Sequence, residues 1–322
     1  MPLPDGVQSI PAMRESLLEI LACPSCRLAV RMEAPDRLVC GRCGRRFAIR
    51  GGAPVMLSEQ RVRKVSSALD QYHRRVRAFE AGDGGLVARI KRLLKPPSTT
   101  LNTAAASNYS NLRLLLVSEG RLAPTILLLG GGDRSGVGLH ALGEDWVRQA
   151  VNLEVATGPG VDVVGDGHEL PFLDGSMDGV IAQAVLEHVE NPQAVVAEAM
   201  RVLRPGGLVY GEIPFLQCYH PHPTDYTRLT IDGVDALFSG FDKLGSGVCV
   251  GPSSMMSDMM KYYMALLGSF GSESLFQVLH RGLGWVTFPL KYLDVVLSRS
   301  PNAAYMASGF YFLGRKPSTG GR

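Results

Sequence analysis

The sequence predicts an α/β fold: a doubly wound, mainly parallel seven-stranded sheet, preceded by a small four-cysteine module and carrying a helical insertion near its C-terminal end. Three observations predict it. From residue 125 onward, short runs rich in Val, Ile and Leu alternate with helical patterns, as in strands buried on both faces between crossover helices. A glycine-rich turn, Gly130-Gly131-Gly132, follows the first of these runs. Near the start of the chain, Cys23, Cys26, Cys40 and Cys43 stand as two CxxC pairs.

In chain order, residues 14–57 read as a self-contained module. A helical pattern (Leu17, Leu18, Ile20, Leu21) runs into Cys23-Pro24-Ser25-Cys26, and two short strands separated by a turn at Pro35-Asp36 lead to Cys40-Gly41-Arg42-Cys43. Residues 58–95 read as basic helices broken near Gly82, Gly84 and Gly85, and the prolines at 96 and 97 open a connecting stretch to residue 100. The second unit, 101–322, opens with a helix around Tyr109. Strands are expected at 125–129, 150–154, 161–164, 179–182, 208–212, 243–250 and 309–313, with a helix opening at Gly136 and Gly138. Residues 253–299, rich in Met, Leu and aromatics, read as a helical insertion before the last strand.

Composition narrows the function classes. With 46% hydrophobic and 20% charged residues, the chain has ample apolar mass for a core, and its 37 glycines show no collagen period. Charge is uneven: residues 1–97 hold 18 Lys/Arg against 9 Asp/Glu, and the remainder 15 against 21. A basic front on an acidic body argues for two different surfaces. The front is either a solvated helical linker or a patch for an anionic partner. Pro2, Pro4, Asp5 and Pro11 leave no apolar run for a signal peptide. The most apolar late stretch, 283–297, is interrupted by Lys291 and Asp294 and is too short to span a bilayer, so no transmembrane segment is expected. Paired CxxC thiols without a leader point to a cytoplasmic protein with reduced cysteines.

Two CxxC knuckles offer four thiolates in a tetrahedron, the geometry of a closed, structural Zn2+ site, with disulfides or an iron–sulfur centre as the alternatives. So small a module buries too little apolar area to fold unaided, and metal binding would supply the missing stability. Around these cysteines, the stretch LLEILACPSC…LVCGRCGRRFAIRGGAPVML resembles the zinc ribbon of the small activator subunit of tRNA and protein methyltransferases.

The glycine turn lets backbone approach a ligand, a feature common to NAD, FAD and S-adenosylmethionine sites. The residues after it are more specific: Glu154 at the end of the second strand, then DGHELPF (166–172), LEHV (186–189) and VLRPGG (202–207). This ordered series resembles the class I S-adenosylmethionine-dependent methyltransferases, the type 11 family in particular. The resemblance implies a Rossmann-like methyltransferase fold and S-adenosyl-L-methionine as cofactor. It implies that Gly130 and Gly132 line the methionine part, that Glu154 binds the ribose, that Asp166 accepts from the adenine amino group beside Gly167, and that Gln183 sits near the sulfonium. Where the family usually carries an acid in the first strand, this chain has Leu128.

After the fifth strand of the sheet, the segment 213–228 concentrates Tyr219, His220, His222, Asp225, Tyr226 and Arg228. Loops at the carboxyl ends of such strands face the ligand. His220 or His222 could take a proton from a hydroxyl, with Asp225 orienting the imidazole and Arg228 holding an anion or pairing with Asp225. A small-molecule or glycan hydroxyl is therefore the expected acceptor. The competing readings are RNA, contacted by the ribbon and the basic residues Arg61, Arg63, Lys64, Arg74, Arg75, Arg77, Arg89, Lys91, Arg92 and Lys95, and a catalytically degenerate cofactor-binding scaffold.

Overall fold

The structure, a computed structural model, describes residues 13–67, 96–221 and 224–318. His222 and the basic residues 74–95 lie outside the described residues.

The cysteine module contains a short helix, Glu15–Leu18, and four antiparallel strands: β1 (Val30–Ala34), β2 (Arg37–Cys40), β3 (Arg46–Arg50) and β4 (Ala53–Pro54). Each knuckle closes on a left-handed residue. Gly44 (φ 70°) fills that place after the second pair and Arg27 (φ 56°) after the first. Their N–H groups reach back to the carbonyls of Cys40 (2.9 Å) and Cys23 (2.7 Å).

The main sheet comprises β5 (Ile126–Leu129), β6 (Val151–Glu154), β7 (Val163–Val164), β8 (Met177–Gln183), β9 (Leu203–Pro214), β10 (Asp242–Val250) and β11 (Gly309–Arg315). Its order is β10-β11-β9-β8-β5-β6-β7. The strands from β7 to β9 pair in parallel, and β11 runs antiparallel between β9 and β10. The chain starts this sheet in its middle, at β5, and builds outward in both directions. The strand order therefore reverses between β5 and β8, where ligands bind in open α/β sheets. All four residues of β5 are buried, as a strand covered on both faces requires.

The helix Pro192–Val202 covers β8 and β9. Pro192 sits in its first turn, Asn191 Oδ1 accepts from Ala194 N (3.0 Å), and Val195, Val196, Ala199 and Val202 form its buried face. Between β10 and β11 lie two long helices, Pro252–Ser269 and Glu273–Thr287. The first is capped from a distance: the fully buried Asp294 accepts from the N–H groups of Ser253 and Ser254, both at 2.8 Å.

The helix expected to open at Gly136 and Gly138 does not form there. Gly132, Arg134 and Gly138 all have positive φ (53°, 65° and 78°), and Asp133 folds onto Ser135, accepting from its N–H and hydroxyl. Three left-handed residues so close together cannot propagate a right-handed helix. A 3-10 turn at Leu139–Leu142 and a six-residue helix, Glu144–Gln149, follow instead.

The ribbon packs against the edge of the sheet that ends in β7. Val55 pairs with Val164, Met56 N donates to Val164 O (2.7 Å), Ala22 N to Pro171 O (2.9 Å) and Leu173 N to Ile20 O (2.9 Å). Leu17, Leu21, Phe47 and Met56 belong to the same buried cluster as Val163, Leu170 and Phe172. Ribbon and sheet thus share one apolar core. The opposite charges of front and body meet at this seam: Arg14 pairs with Asp162 (2.8 Å), Arg27 with the buried Glu198 (3.1 Å), Arg61 with Asp166 (3.5 Å) and Lys64 with Glu190 (2.7 Å).

Candidate functional site

Two cavities meet at the carboxyl ends of β5, β6 and β8. The first, of about 460 Å³, is lined by Gly130, Gly132, Glu154, Asp166, Gly167 and His188 together with apolar neighbours. Five of the six cofactor-binding residues expected from sequence therefore border one cleft. Its floor needs glycine. At Gly130 (φ 61°), a Cβ would fall 2.5 Å from a methyl of Val185, and at Gly131 it would fall 2.5 Å from Asn152 Oδ1. Asn152, fully buried, fixes the turn: its Oδ1 accepts from Gly131 N (3.1 Å), and its Nδ2 donates to the carbonyls of Gly132 (2.8 Å) and Gly160 (2.9 Å).

Glu154 holds the turn from the next strand by accepting from Gly132 N (2.8 Å). A carboxylate has capacity for further donors beyond this one. Asp166 caps a 3-10 turn, accepting from His168 N (2.9 Å), with His168 Nδ1 2.6 Å away. Burial raises the Asp166 pKa, but these hydrogen bonds and the charge of Arg61 outweigh it and leave the carboxyl below its ordinary range. A cleft of this size, with carboxylates at the ends of β6 and β7 and a glycine turn that excludes side chains, fits a nucleoside with a charged tail. Leu128 is buried in the core at 2% exposure, and Asp133 is engaged by Ser135, so neither lines this cleft.

The second cavity, of about 450 Å³, shares Ala184 with the first and is lined by Gln183, Glu187, Glu212, Ser98, Thr100, Leu101 and Asn102, among others. Ala184, at the junction, has φ 53°, a strained conformation for a residue with a Cβ. Gln183, the sixth expected cofactor residue, turns its Nε2 to Val137 O (3.1 Å) and Glu212 Oε2 (3.2 Å). Glu212, on β9, also accepts from Asn102 Nδ2 (3.0 and 2.9 Å) and from the Tyr210 hydroxyl. Burial pushes its carboxyl above the usual range against these hydrogen bonds. Sequence reading missed Glu212 and Asn102. The signal for Glu212 was a carboxylate inside an otherwise apolar strand. Asn102 follows the stretch to residue 100 read as connecting chain; that stretch and its continuation form a wall, pinned by Leu101 N to Ser254 Oγ (3.0 Å) and Lys291 Nζ to Ser98 O (2.7 Å).

Residues 213–221 and 224–228 fold over this end. Arg228 grips Asp225 with both Nη atoms (2.5 and 2.7 Å), and Asp225 accepts from His220 N (2.9 Å). Burial raises the Asp225 pKa, yet the Arg228 contact and the His220 N–H bring it down to about 2. Asp225 therefore locks the loop through backbone and guanidinium. The expected orienting bond to the imidazole goes instead from His220 Nδ1 to Cys218 O (2.9 Å). His220 Nε2 stands 3.8 Å from Glu187 Oε1, and this carboxylate is the main cause of a raised His220 pKa, against burial.

In the ribbon, the four Sγ atoms of Cys23, Cys26, Cys40 and Cys43 lie within 4.8 Å of one another. Cys23 and Cys43 are 3.9 Å apart, close to the edge of a tetrahedron built on Zn–S bonds of about 2.3 Å and far beyond an S–S bond of about 2.05 Å. All four cysteines are free thiols, and they fit a zinc ion.

Two known families match parts of this chain. Residues 136–211 match the type 11 methyltransferase domain family, and residues 14–52 match the Trm112p-like protein family. An uncharacterized methyltransferase of Mycobacterium tuberculosis is 34% identical over 119 residues, which cover 34% of this chain and 47% of that protein. A 37.1 kDa protein encoded in a Streptomyces fradiae transposon is 47% identical over 79 residues, 24% of this chain and 20% of its own. The chain thus spans less than half the length of these curated relatives. Among solved structures, 1,6-didemethyltoxoflavin-N1-methyltransferase of Burkholderia thailandensis aligns over 90% of this chain and 99% of its own, at 15% identity and a TM-score of 0.40. No helix among the described residues is long and apolar enough to cross a membrane.

Proposed function

We propose that this chain, built from a type 11 methyltransferase domain and a Trm112p-like zinc ribbon, is an S-adenosylmethionine-dependent methyltransferase acting on a hydroxyl of a small molecule or glycan precursor. The observation that carries this reading is the pair of joined cavities: one bordered by Gly130, Gly132, Glu154, Asp166 and Gly167, the other by Gln183, Glu187 and Glu212. When bound, the cofactor supplies an electrophilic methyl group on a sulfonium. Glu154 would take the ribose hydroxyls, Asp166 and Gly167 the adenine edge, and the turn at Gly130 and Gly132 the methionine portion, with Gln183 beside the sulfur. The second cavity would hold the acceptor in line with the methyl. Most of the rate enhancement then comes from alignment. The His220 side chain, 3.8 Å from the Glu187 carboxylate that lines the second cavity, would draw a proton from the acceptor.

Charge pairing among the described residues weighs against RNA. Arg14, Arg27, Arg61 and Lys64 all face carboxylates of the chain's own body, which leaves less positive charge for phosphates. The test is transfer of a labelled methyl group from the cofactor to separated cell fractions. Label in the small-molecule or glycan fraction is the expected result. Label in RNA would replace the acceptor class, and cofactor binding without label in any fraction would indicate a scaffold.

A further inference from the structure

Glu187, His188 and His220 form a second group with metal-ligand chemistry, remote from the cysteines. One ligand atom from each lies within 4.8 Å of the other two. The Nε2 atoms of both histidines stand 3.8 Å from Glu187 Oε1. That is too far for a hydrogen bond, so the three groups surround a gap. Glu187 is 1% exposed, and its Oε2 has no hydrogen-bond partner among the described residues. An unsatisfied buried carboxylate oxygen is costly unless a cation completes it.

The outer contacts suit a metal as well. His188 Nδ1 lies 2.5 Å from Thr224 O, and His220 Nδ1 lies 2.9 Å from Cys218 O. A carbonyl oxygen can only accept, so an Nδ1–H tautomer at each ring satisfies this contact and leaves Nε2 as the ligand atom, with Arg228 Nη2 also 3.3 Å from His220 Nδ1. Metal-binding histidines are oriented in this way. Bonds of about 2.1 Å to a common ion would bring the three ligand atoms to roughly 3.0–3.5 Å from one another, a closure of less than about 1 Å for the 3.8 Å pairs. The Asp225–Arg228 clamp fixes the loop that delivers His220.

We propose that Glu187, His188 and His220 bind a divalent first-row cation at the junction of the two cavities, and that it receives the acceptor oxygen. Two histidines and one carboxylate leave coordination positions open, and imidazole with carboxylate suits ions of the zinc and iron class. This role deepens the transferase reading and rests on it; cation binding itself does not. Bound to the cation, the hydroxyl would lose its proton to water, and His220, with its Nε2 taken up by the metal, would act as a ligand in place of drawing that proton itself. The oxygen would then form a bond to the methyl carbon as the S–C bond breaks, its electron pair remaining on sulfur.

Zinc content separates this site from the ribbon. Full-length protein equilibrated with Zn2+ and freed of excess should carry about two zinc ions per chain, one at the four cysteines. Glu187→Gln and His220→Gln should each carry about one. His220 lies on a loop at the surface, so its variant should fold, and an unchanged melting curve checks this. About one zinc in the wild type, or about two retained in both folded variants, would overturn the proposal. The transferase reading is judged separately, by binding of S-adenosylhomocysteine to the wild type.

Discussion

The two cavities share a wall but are built differently. The first cavity, proposed above to hold the nucleoside, is made at the ends of consecutive strands. Its glycines, Glu154, Asp166 and Gly167 fall between residues 130 and 167, and its shape is set largely by backbone. The second cavity, proposed above to hold the acceptor, is made by side chains from distant parts of the chain. Asn102 reaches Glu212 across 110 residues, and His220 faces Glu187 from a loop clamped by Arg228. A site formed by strand ends inherits its precision from the sheet, whereas a site formed by a side-chain network depends on each member.

Loss of zinc should have the largest effect and should fall on the nucleoside side. The ribbon lies against that half, pairing with Val164 two residues before Asp166, and shares its core with Val163 and Phe172. Cys40→Ser should abolish zinc binding at the ribbon and lower the melting temperature of the whole chain by about 10 °C or more, with loss of cofactor binding. Calorimetry showing an unchanged main transition would separate ribbon from sheet and break this link. Gly130→Ala comes next. Its Cβ would meet Val185 at 2.5 Å on a backbone of φ 61°, so cofactor affinity should fall at least tenfold, about 1.4 kcal/mol, by titration.

On the acceptor side, Glu212→Ala would release Asn102 and Gln183. Turnover should fall by roughly tenfold, about 1.4 kcal/mol for a lost charge-assisted contact, with cofactor affinity changing less. Equal losses in both would erase the distinction between the halves. The smallest effect is in titration. Carboxyl NMR should find Glu212 above its ordinary 4.5 and Asp166 below 3.8. Asp166, with its folded pKa depressed, adds stability above 3.8 that is lost as pH falls through the folded value. Glu212, with its folded pKa raised, instead costs stability as pH rises from 4.5 through its folded value. The reverse order of the two carboxyls would contradict the environments described for each.

The same contrast explains what was legible in the sequence. The seven strands, the four cysteines and the residues that line the first cavity were readable because each signal is local: an apolar run, a CxxC spacing, a glycine turn with a carboxylate one strand later. The helix expected after the glycines failed because Asp133, Arg134 and Ser135 formed a competing turn. The Glu212–Asn102–Gln183 network and the Glu187–His188–His220 group were not readable as units, since the sheet brings them together from separate elements. Glu187 and His188 were in view only as part of a motif. The apolar core shared by ribbon and sheet was equally hidden, because each partner reads as amphipathic by itself.

Titration calorimetry with S-adenosylhomocysteine tests the central claim most directly. The wild type should bind it, and Glu154→Ala should weaken binding by roughly 1–3 kcal/mol, the usual cost of losing charge-assisted hydrogen bonds. Absence of binding by the wild type at millimolar ligand would contradict the assignment of the cleft to this cofactor, and with it the transferase reading.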